Sequence, residues 1–408
     1  MARMSQGRKT SFGALSWAGA MVLAAVTAAG CAQLCATGGP GHAVASSHGG
    51  KTASKAVAQD SAVEFPTAPP QNVNIFGEVN GAHRQAATPI SEVGFQQHTF
   101  TDEGYDSDIT VDPTGKWIAF SSTRHSEHPS IYLQRVNGTT VTQLTSDSDD
   151  DYPAFSPDGK QIAFSSTRAG LWQIYTMDVD GRNVVQVTSG TSQCIHPSFS
   201  PDGSRLVFSS LGSRSGQWEL WTVNLQTGER RMIGYGLFPV WSPDRNVDRI
   251  AFQRARQRGS RWFSVWTLDL IDGEARRLTE IAVSSNAAII SPTWSPDGKR
   301  LAFTTVLSPT HASGANLHGQ TDIWTIDADG INRQRLTDGR GTNLTPCWGS
   351  DNRIFFISDR GGAECVWSVR ADTDRRTSVA QSNDKKPAAA GQNEPQAVGS
   401  TDPHEVDH

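Results

Sequence analysis

A four-residue motif, Ser-Pro-Asp-Gly, recurs through the middle of the chain and constrains the fold more than any other feature. Three copies are intact and three are degenerate: 156–159, 200–203 and 295–298, then 112–115, 242–245 and 349–352. Aligned on the second residue of the motif, the six copies follow one another at intervals of 44, 44, 42, 53 and 54 residues. A unit of about 45 residues is the period of a β-propeller blade, so the chain is predicted to form a ring of such units.

Each unit carries four strand signals, which the second copy shows most clearly. An aromatic residue, Phe155, closes the first strand (strand A) before the turn, and apolar residues at 162–164 form the second (strand B). The pair Ile174-Tyr175 marks strand C, a tight turn at 180–181 follows, and Val187-Thr188 marks strand D. The sequence therefore predicts an all-β fold, a six-bladed β-propeller whose blades are four-stranded antiparallel sheets.

The ring needs a way to close, because the sixth unit lacks a clear strand D. Residues 97–101, Gln-His-Thr-Phe-Thr, lie upstream of the first unit and fit the strand D pattern. We predict that this segment forms the outer strand of the last blade. Such pairing would tie the two ends of the propeller together and remove a free sheet edge.

Tryptophan is unusually frequent, since the chain has 12 Trp but only 5 Met and 5 Tyr. Seven of these residues occupy the aromatic slots of strand A or strand C: Trp221, Trp241, Trp266, Trp294, Trp324, Trp348 and Trp367. Their repetition predicts packing between neighbouring blades rather than contact with a ligand. The formal net charge of −5 excludes a general basic surface for nucleic acid, and 5 Cys are too few for a disulfide scaffold.

Residues 156–188 combine Ser-Pro-Asp-Gly with Ile-Ala-Phe-Ser-Ser-Thr-Arg, Ile-Tyr-Thr-Met-Asp-Val-Asp-Gly and Val-Thr. This combination resembles the TolB-type repeat, also called PD40 or WD40-like, and the resemblance extends over residues 95–380. It implies a propeller of the bacterial periplasm that binds an envelope protein, such as the peptidoglycan-associated lipoprotein Pal. From this resemblance we expect a monomeric, non-catalytic binding scaffold without a cofactor, whose partner is a protein or peptidoglycan-associated.

An enzymatic function is the alternative. Related repeats form the propeller of oligogalacturonate lyase, which has a His-based metal site in its channel, so the alternative is a polysaccharide lyase or hydrolase with a metal site at the propeller mouth. Such a site needs His nitrogens that converge on one ion, whereas His196, His311 and His318 fall on different blades with unmatched spacing. We therefore predict no metal site and no catalytic residue.

The two ends of the chain do not share the repeat. Residues 1–31 have a basic start, an apolar stretch and the sequence Ala28-Ala29-Gly30-Cys31, which resembles the lipobox of bacterial lipoproteins. This resemblance implies an exported protein anchored to a membrane by lipidated Cys31, and Ala32 favours the outer membrane; conventional signal cleavage is the alternative. Residues 32–94 are predicted to be a flexible tether and residues 381–408 a disordered tail.

In a propeller of this strand order, the D–A and B–C loops lie on one face (the loop face) and the A–B and C–D turns on the other (the turn face). The loops of the loop face differ from unit to unit, and variable loops on a rigid scaffold usually carry function. We therefore predict that the partner docks there. The candidate binding residues are charged side chains and one His: Asp106, Asp108, Asp149, Asp150, Asp151, His196, Arg254, Arg256 and Arg258. A solvated acidic loop or a Ca²⁺ site at 147–151 is the alternative use of these carboxylates.

Overall fold

The structure, a computed structural model, describes residues 94–101, 103–255, 263–307 and 320–371. Within these ranges the regular secondary structure is β-strand, and no helix there is long and apolar enough to cross a membrane. The predicted signal at 1–31, most of the tether and the tail at 381–408 lie outside the described residues.

The strands form six antiparallel sheets of four strands, as the repeat predicts. The first strand, β1 (Gln96–Gln97), precedes the first complete blade. Blades 1 to 3 then follow in chain order: β2 (Asp106–Val111), β3 (Trp117–Ser122), β4 (Ser130–Arg135) and β5 (Val141–Gln143); β6 (Asp150–Phe155), β7 (Gln161–Ser166), β8 (Gln173–Asp178) and β9 (Val185–Gln186); β10 (Cys194–Phe199), β11 (Arg205–Leu211), β12 (Trp218–Asn224) and β13 (Arg230–Tyr235).

Blades 4 to 6 repeat the same order of strands, A to D, in which each strand pairs with its chain neighbour. Their strands are β14 (Leu237–Trp241), β15 (Arg249–Ala255), β16 (Phe263–Ile271) and β17 (Glu274–Ala282); β18 (Ala287–Trp294), β19 (Arg300–Leu307), β20 (Thr321–Asp327) and β21 (Gln334–Arg335); β22 (Asn343–Trp348), β23 (Arg353–Ser358) and β24 (Cys365–Arg370). The fourth strand of blade 6 is β1, which pairs with β24.

The hydrogen bonds of the A–B turn explain why Ser-Pro-Asp-Gly repeats. In blade 2, Ser156 Oγ donates to Asp158 Oδ1 (2.6 Å) and accepts a hydrogen bond from the backbone N–H of Gln161 (2.9 Å). The N–H of Gly159 donates to the carbonyl of Ser156, and Gly159 has a φ of +70°, which favours a residue without Cβ. The turns at 200–203 and 295–298 make the same set of bonds. The motif therefore fixes the hairpin between strands A and B.

Aromatic residues of strands A and B fill the space between blades. Trp241, Trp294 and Trp348 of strand A are each buried in a cluster that combines residues of their own blade and of the preceding one, as predicted. Strand B contributes a Phe in the same position of every blade that is at most 2% exposed: Phe120, Phe164, Phe208, Phe252, Phe303 and Phe356. Burial of each such side chain stabilises the fold by about 1.5–3 kcal/mol. Packing between blades thus accounts for the repeated aromatic slots.

The Thr that follows strand D ties the outer edge of a blade to strand C. In blades 1, 2 and 5 its Oγ1 accepts a hydrogen bond from a backbone N–H of strand C: Thr145 from Ile131, Thr188 from Ile174 and Thr337 from Ile323. These bonds are 2.8–2.9 Å long and buried. The aliphatic–Thr pattern therefore marks a hydrogen bond that stabilises the end of each short outer strand.

Residues 96–99 take the strand D position of blade 6, which confirms the predicted closure. Strand β1 pairs with β24 in antiparallel register. Thr99 then occupies the repeated Thr slot, because its Oγ1 accepts a hydrogen bond from the N–H of Val366 (2.8 Å). The same hydroxyl donates to the carboxylate of Asp106 in blade 1. An upstream segment therefore completes the last blade and binds it to the first.

His98 adds a second link across the closure. It is 3% exposed; its Nδ1 lies 2.9 Å from the carbonyl oxygen of Val136 in blade 1, and its Nε2 lies 2.8 Å from Ser368 Oγ in blade 6. Burial lowers the pKa of His98 below its usual value. The neutral ring suits this position, since one nitrogen donates to the carbonyl while the other accepts from the hydroxyl.

Candidate functional site

A β-bulge interrupts strand A of every blade at the same place, five residues before the second residue of the turn motif. Pairing with strand B shifts register there in each blade. The bulged residues all have positive φ, between 33° and 57°, and line the central cavity: Asp108, Tyr152, His196, Phe238, Ser291 and Thr345. A bulge bends its strand and re-aims a side chain. We call these six residues the bulge ring.

Proline accompanies the bulge in five blades. It follows the bulged residue at Pro153, Pro197, Pro239, Pro292 and Pro346, whereas blade 1 has Ile109. Strand A is the innermost edge of its sheet, and a residue without an N–H is tolerated at an edge or a bulge. A Pro four residues ahead of the second residue of the turn motif is therefore the sequence signal that would have revealed the bulge ring.

Two carboxyl groups meet in the wall of the channel between blades 1 and 2. Asp108 and Asp151 are 8% and 4% exposed, and their carboxyls lie within hydrogen-bonding reach of each other. Burial and the neighbouring Asp151 raise the pKa of Asp108 well above its usual value, and burial raises the pKa of Asp151 to about 6. Burial thus favours the protonated form of both carboxyls, and the two groups titrate together.

Three consecutive members of the bulge ring, Tyr152, His196 and Phe238, have aromatic side chains that contact one another. The ring of His196 has its centroid 3.7 Å from that of Tyr152 and 3.6 Å from that of Phe238. Burial lowers the pKa of His196 well below its usual value, so its imidazole is neutral. His196 makes no hydrogen bond with any residue in the described ranges, so both ring nitrogens remain available to a ligand or to solvent.

A cavity of about 500 Å³ follows the channel from the bulge ring to the A–B turns. Prolines of those turns, such as Pro157 and Pro201, line its outer part, and no described residue of a D–A or B–C loop contributes to its wall. The cavity thus extends towards the turn face. Asp108 and His196, which the sequence places on the loop face, border this cavity instead, because the bulge turns their side chains into the channel.

Asp106 and Asp150, at the start of strand A in blades 1 and 2, are fully buried and paired within their own blade. Arg124 Nη2 lies 2.7 Å from Asp106 Oδ1, and Arg168 Nη2 lies 3.1 Å from Asp150 Oδ1. Each guanidinium also lies over the Phe ring of strand B, 5.0–5.1 Å from its centroid. The Arg that follows strand B is therefore a structural group, and its charge neutralises a carboxylate of strand A.

The remaining candidates are less buried. Asp149 lies on the loop face, where its Oδ1 is 2.7 Å from His128 Nδ1; this hydrogen bond raises the pKa of the exposed His128. Arg254 is half-buried with its guanidinium 5.8 Å from the centroid of Trp266, and burial lowers its pKa. Arg256 and Arg258, like His311 and His318, lie outside the described residues.

The described residues include no assembled hydrolase triad and no cluster of metal ligands. The bulge ring contains Asp108, His196 and Ser291, the residue types of a hydrolase triad, but no hydrogen bond of the described residues joins any two of them. No three His, Cys, Asp or Glu side chains of the described ranges are grouped to hold a metal ion. The geometry offers a cavity whose wall carries polar atoms without a described partner, such as Asp108 Oδ2 and Ser291 Oγ.

Parts of the chain are similar to proteins of known structure. In solved structures, TolB from Acinetobacter baumannii is 18% identical, with a TM-score of 0.49, over 64% of this chain and 65% of that chain. Oligogalacturonate lyase from Vibrio parahaemolyticus is 14% identical, with a TM-score of 0.48, over 69% of this chain and 95% of that chain.

Curated relatives match over shorter segments. The Tol-Pal system protein TolB of Anaeromyxobacter sp. (strain K) is 27% identical over 138 residues, 33% of this chain and 27% of that protein. The protein of the same name from Hahella chejuensis is 33% identical over 95 residues, 23% of this chain and 19% of that protein. The match thus spans between 19% and 27% of the length of these relatives. The model of the TolB β-propeller domain family, PD40, matches residues 110–280 and 237–396, most of the chain, and the chain therefore belongs to this family.

Proposed function

We propose that the chain is a non-catalytic binding scaffold of the bacterial cell envelope and that its partner docks on the loop face. Membership of the TolB β-propeller family supports a periplasmic binding role. Two similar proteins are named as components of a Tol-Pal system, which supports an envelope protein, such as a Pal-like peptidoglycan-associated lipoprotein, as the partner.

The observation that carries the proposal is that the described aromatic side chains with the largest exposure lie on the loop face, whereas the exposed apolar side chains of the turns, such as Ile271 and Ile331, are aliphatic. Phe100, in the loop between the closing strand and blade 1, is 64% exposed. Leu171 in blade 2 and Tyr235 in blade 3 are 38% and 40% exposed. Phe100 and Leu171 lie in loops, and Tyr235 is the last residue of β13. Aromatic residues are enriched in the cores of protein–protein interfaces.

The charge of this part of the loop face favours a partner of a particular kind. Glu103, Glu127 and Asp147 are exposed near the same loops, and Asp149 is half-exposed. Asp106 and Asp150 do not add to this charge, because Arg124 and Arg168 neutralise them. A partner that combines an apolar patch with Lys or Arg would complement this surface and gain association rate from it.

Site-specific photocrosslinking in the native envelope tests the docking face. A photoreactive amino acid replaces Phe100 or Leu171 in the full chain, and in matched controls it replaces Val247 or Ile331, which are also exposed but lie on the turn face. We expect one envelope protein to crosslink at Phe100 and Leu171 and not at the controls. Adducts that form only at Val247 and Ile331, or at none of the four positions, would contradict the proposed docking face.

The proposal includes a lipid anchor at Cys31, which the lipobox-like sequence supports. Cys31→Ala should release the full chain from membranes into the soluble periplasmic fraction, whereas Cys35→Ala, a matched change four residues downstream, should leave it bound. Membrane association of Cys31→Ala equal to that of the unmodified chain would refute the anchor without affecting the docking face.

Metal analysis tests the enzymatic alternative. A propeller-mouth lyase or hydrolase site would hold a stoichiometric metal ion in the purified full chain and lose it on His196→Ala. We expect no metal that depends on His196, since no two further His, Cys, Asp or Glu side chains of the described ranges are grouped with it to hold an ion. A bound metal that His196→Ala removes would overturn the scaffold proposal.

A further inference from the structure

An acid pair borders the central cavity: Asp108 lines the cavity, and the carboxyl of Asp151 lies within hydrogen-bonding reach of Asp108. No described ion pair includes Asp108 or Asp151, and no cationic group stabilises either carboxylate. Asp151 Oδ1 accepts one hydrogen bond, from the N–H of Tyr152 (2.9 Å), whereas Asp108 Oδ2 accepts none from a described N–H or from a hydroxyl. Buried charges in proteins are generally paired. The acid pair of Asp108 and Asp151 therefore leaves room for an external cation.

The wall beside this pair is aromatic. Tyr152 follows Asp151 directly and lies in the bulge ring next to Asp108, with His196 and Phe238 continuing the ring. Phe238 is only half-buried, so part of its ring is accessible in the cavity. Aromatic faces attract a cation by about 0.5–2 kcal/mol, more strongly where water is excluded. A carboxylate beside aromatic rings favours an organic ammonium group over a strongly hydrated metal ion.

Two polar side chains of the bulge ring, Ser291 and His196, offer hydrogen-bonding groups to a second part of such a ligand. Ser291, on the opposite side of the bulge ring, is 6% exposed, and its Oγ has no hydrogen-bond partner among the described residues. The neutral imidazole of His196 is likewise free to donate or accept. A cavity of about 500 Å³ falls in the range that holds small ligands, about 300–1,000 Å³. A ligand that carries a hydroxyl as well as a charged group would use Asp108 together with one of these polar side chains.

We propose that the central cavity binds a small hydroxylated organic cation, with its ammonium group against the Asp108–Asp151 pair and the aromatic rings, and its hydroxyl at Ser291 or His196. The ligand enters from the turn face, to which the cavity extends. The binding site is independent of the proposed docking face, because the described cavity wall includes no residue of the D–A or B–C loops.

Choline and its neutral isostere 3,3-dimethylbutan-1-ol test the proposal on the unmodified full chain by isothermal titration calorimetry. The two probes have the same shape and hydroxyl and differ in the positive charge. We expect choline to bind at least tenfold more tightly. Equal affinities, or no binding of choline at millimolar concentration, would overturn the proposal without any variant being needed.

Variants of the acid pair provide a sharper comparison. Asp108→Asn removes the carboxyl that lines the cavity but leaves Asp151 close to it, so choline affinity should fall by less than in the double variant. Asp108→Asn combined with Asp151→Asn removes both carboxyls and should weaken choline binding at least tenfold, with the binding of the isostere unchanged. A double variant with an unaltered melting temperature that binds choline as tightly as the unmodified chain would contradict the assigned role. Should the double variant not fold, the choline–isostere comparison on Asp108→Asn decides the question.

Discussion

Replacing Thr99 by Val removes one hydroxyl from the closure of the ring while preserving the shape of the side chain. The change leaves the N–H of buried Val366 without its acceptor, which costs about 1–3 kcal/mol, and removes a hydrogen bond to the charged Asp106, worth about 1.5–3 kcal/mol. Asp106 keeps its ion pair with Arg124 at 2.7 Å, so its charge remains compensated. Because both contributions come from one group and need not add, we expect a loss of about 3 kcal/mol in the free energy of unfolding.

Thr337→Val is the matched control. Thr337 occupies the same slot in blade 5, where its Oγ1 accepts from the N–H of Ile323 and donates to Asp322 Oδ1. For a domain of this length, about 3 kcal/mol corresponds to a fall of roughly 6 °C in melting temperature, which calorimetry measures for both variants. Hydrogen exchange adds a local readout, since Thr99→Val should expose the amide of Val366 and Thr337→Val that of Ile323. A Thr99→Val chain as stable as the unmodified chain, beside a destabilised Thr337→Val, would refute the closure of the ring by residues 96–99.

Two further predictions concern stability. His98 has a pKa below its unfolded value, so its contribution to stability is present above pH 6.5 and is lost as the pH falls below 6.5, by at most about 1.4 kcal/mol per pH unit. His98→Gln should reduce the dependence of the unfolding free energy on pH, measured by denaturant titrations at pH 5 to 8, although His196 contributes a similar pH dependence. An unchanged pH dependence would show that His98 does not titrate as inferred. Gly236→Ala would place a Cβ against the ring of Phe252 and should lower stability by about 1–3 kcal/mol, whereas at Gly234 the nearest atom is 4.0 Å away and Gly234→Ala should be neutral. Equal unfolding midpoints for these two Ala variants would contradict the packing of β14 on β15.

The repeat made the fold predictable because each of its conserved chemical features has a local cause. The Ser-Pro-Asp-Gly bonds lie within five residues, and the strand D Thr bonds to a strand C that is 14 residues away. The closing strand was predictable for the same reason, since 97–101 fits a slot that the other blades define. The hydrogen bond between Thr99 and Val366 joins residues 267 positions apart. It follows from the local pattern, because the described residues after β24 supply no strand D and β1 takes that edge of blade 6.

The sites were harder to predict, because they depend on how strand A pairs. Residues at the start of strand A were expected to face a partner, but Asp108 and His196 border the channel. The bulge is the reason, because a one-residue shift in pairing reverses the face of the sheet on which a side chain lies. Asp106 and Asp150 are each bound to an Arg 18 residues later. The constant spacing of Asp and Arg is visible in the sequence. Only the pairing register of strands A and B shows that the two side chains form an ion pair.

The bulge ring also separates the two proposed sites, which makes their independence testable. The exposed side chains of the loop face, such as Phe100 and Leu171, lie in loops outside the cavity wall, whereas the cavity lies between the ring and the A–B turns. A partner on the loop face then needs no displacement of a ligand in the cavity. Phe100→Ala should weaken capture of the envelope partner and leave the choline dissociation constant within twofold, since it alters no residue of the cavity wall. A tenfold change in choline affinity would instead show that the two sites are coupled, and coupling would require the bulge ring to move when the partner binds.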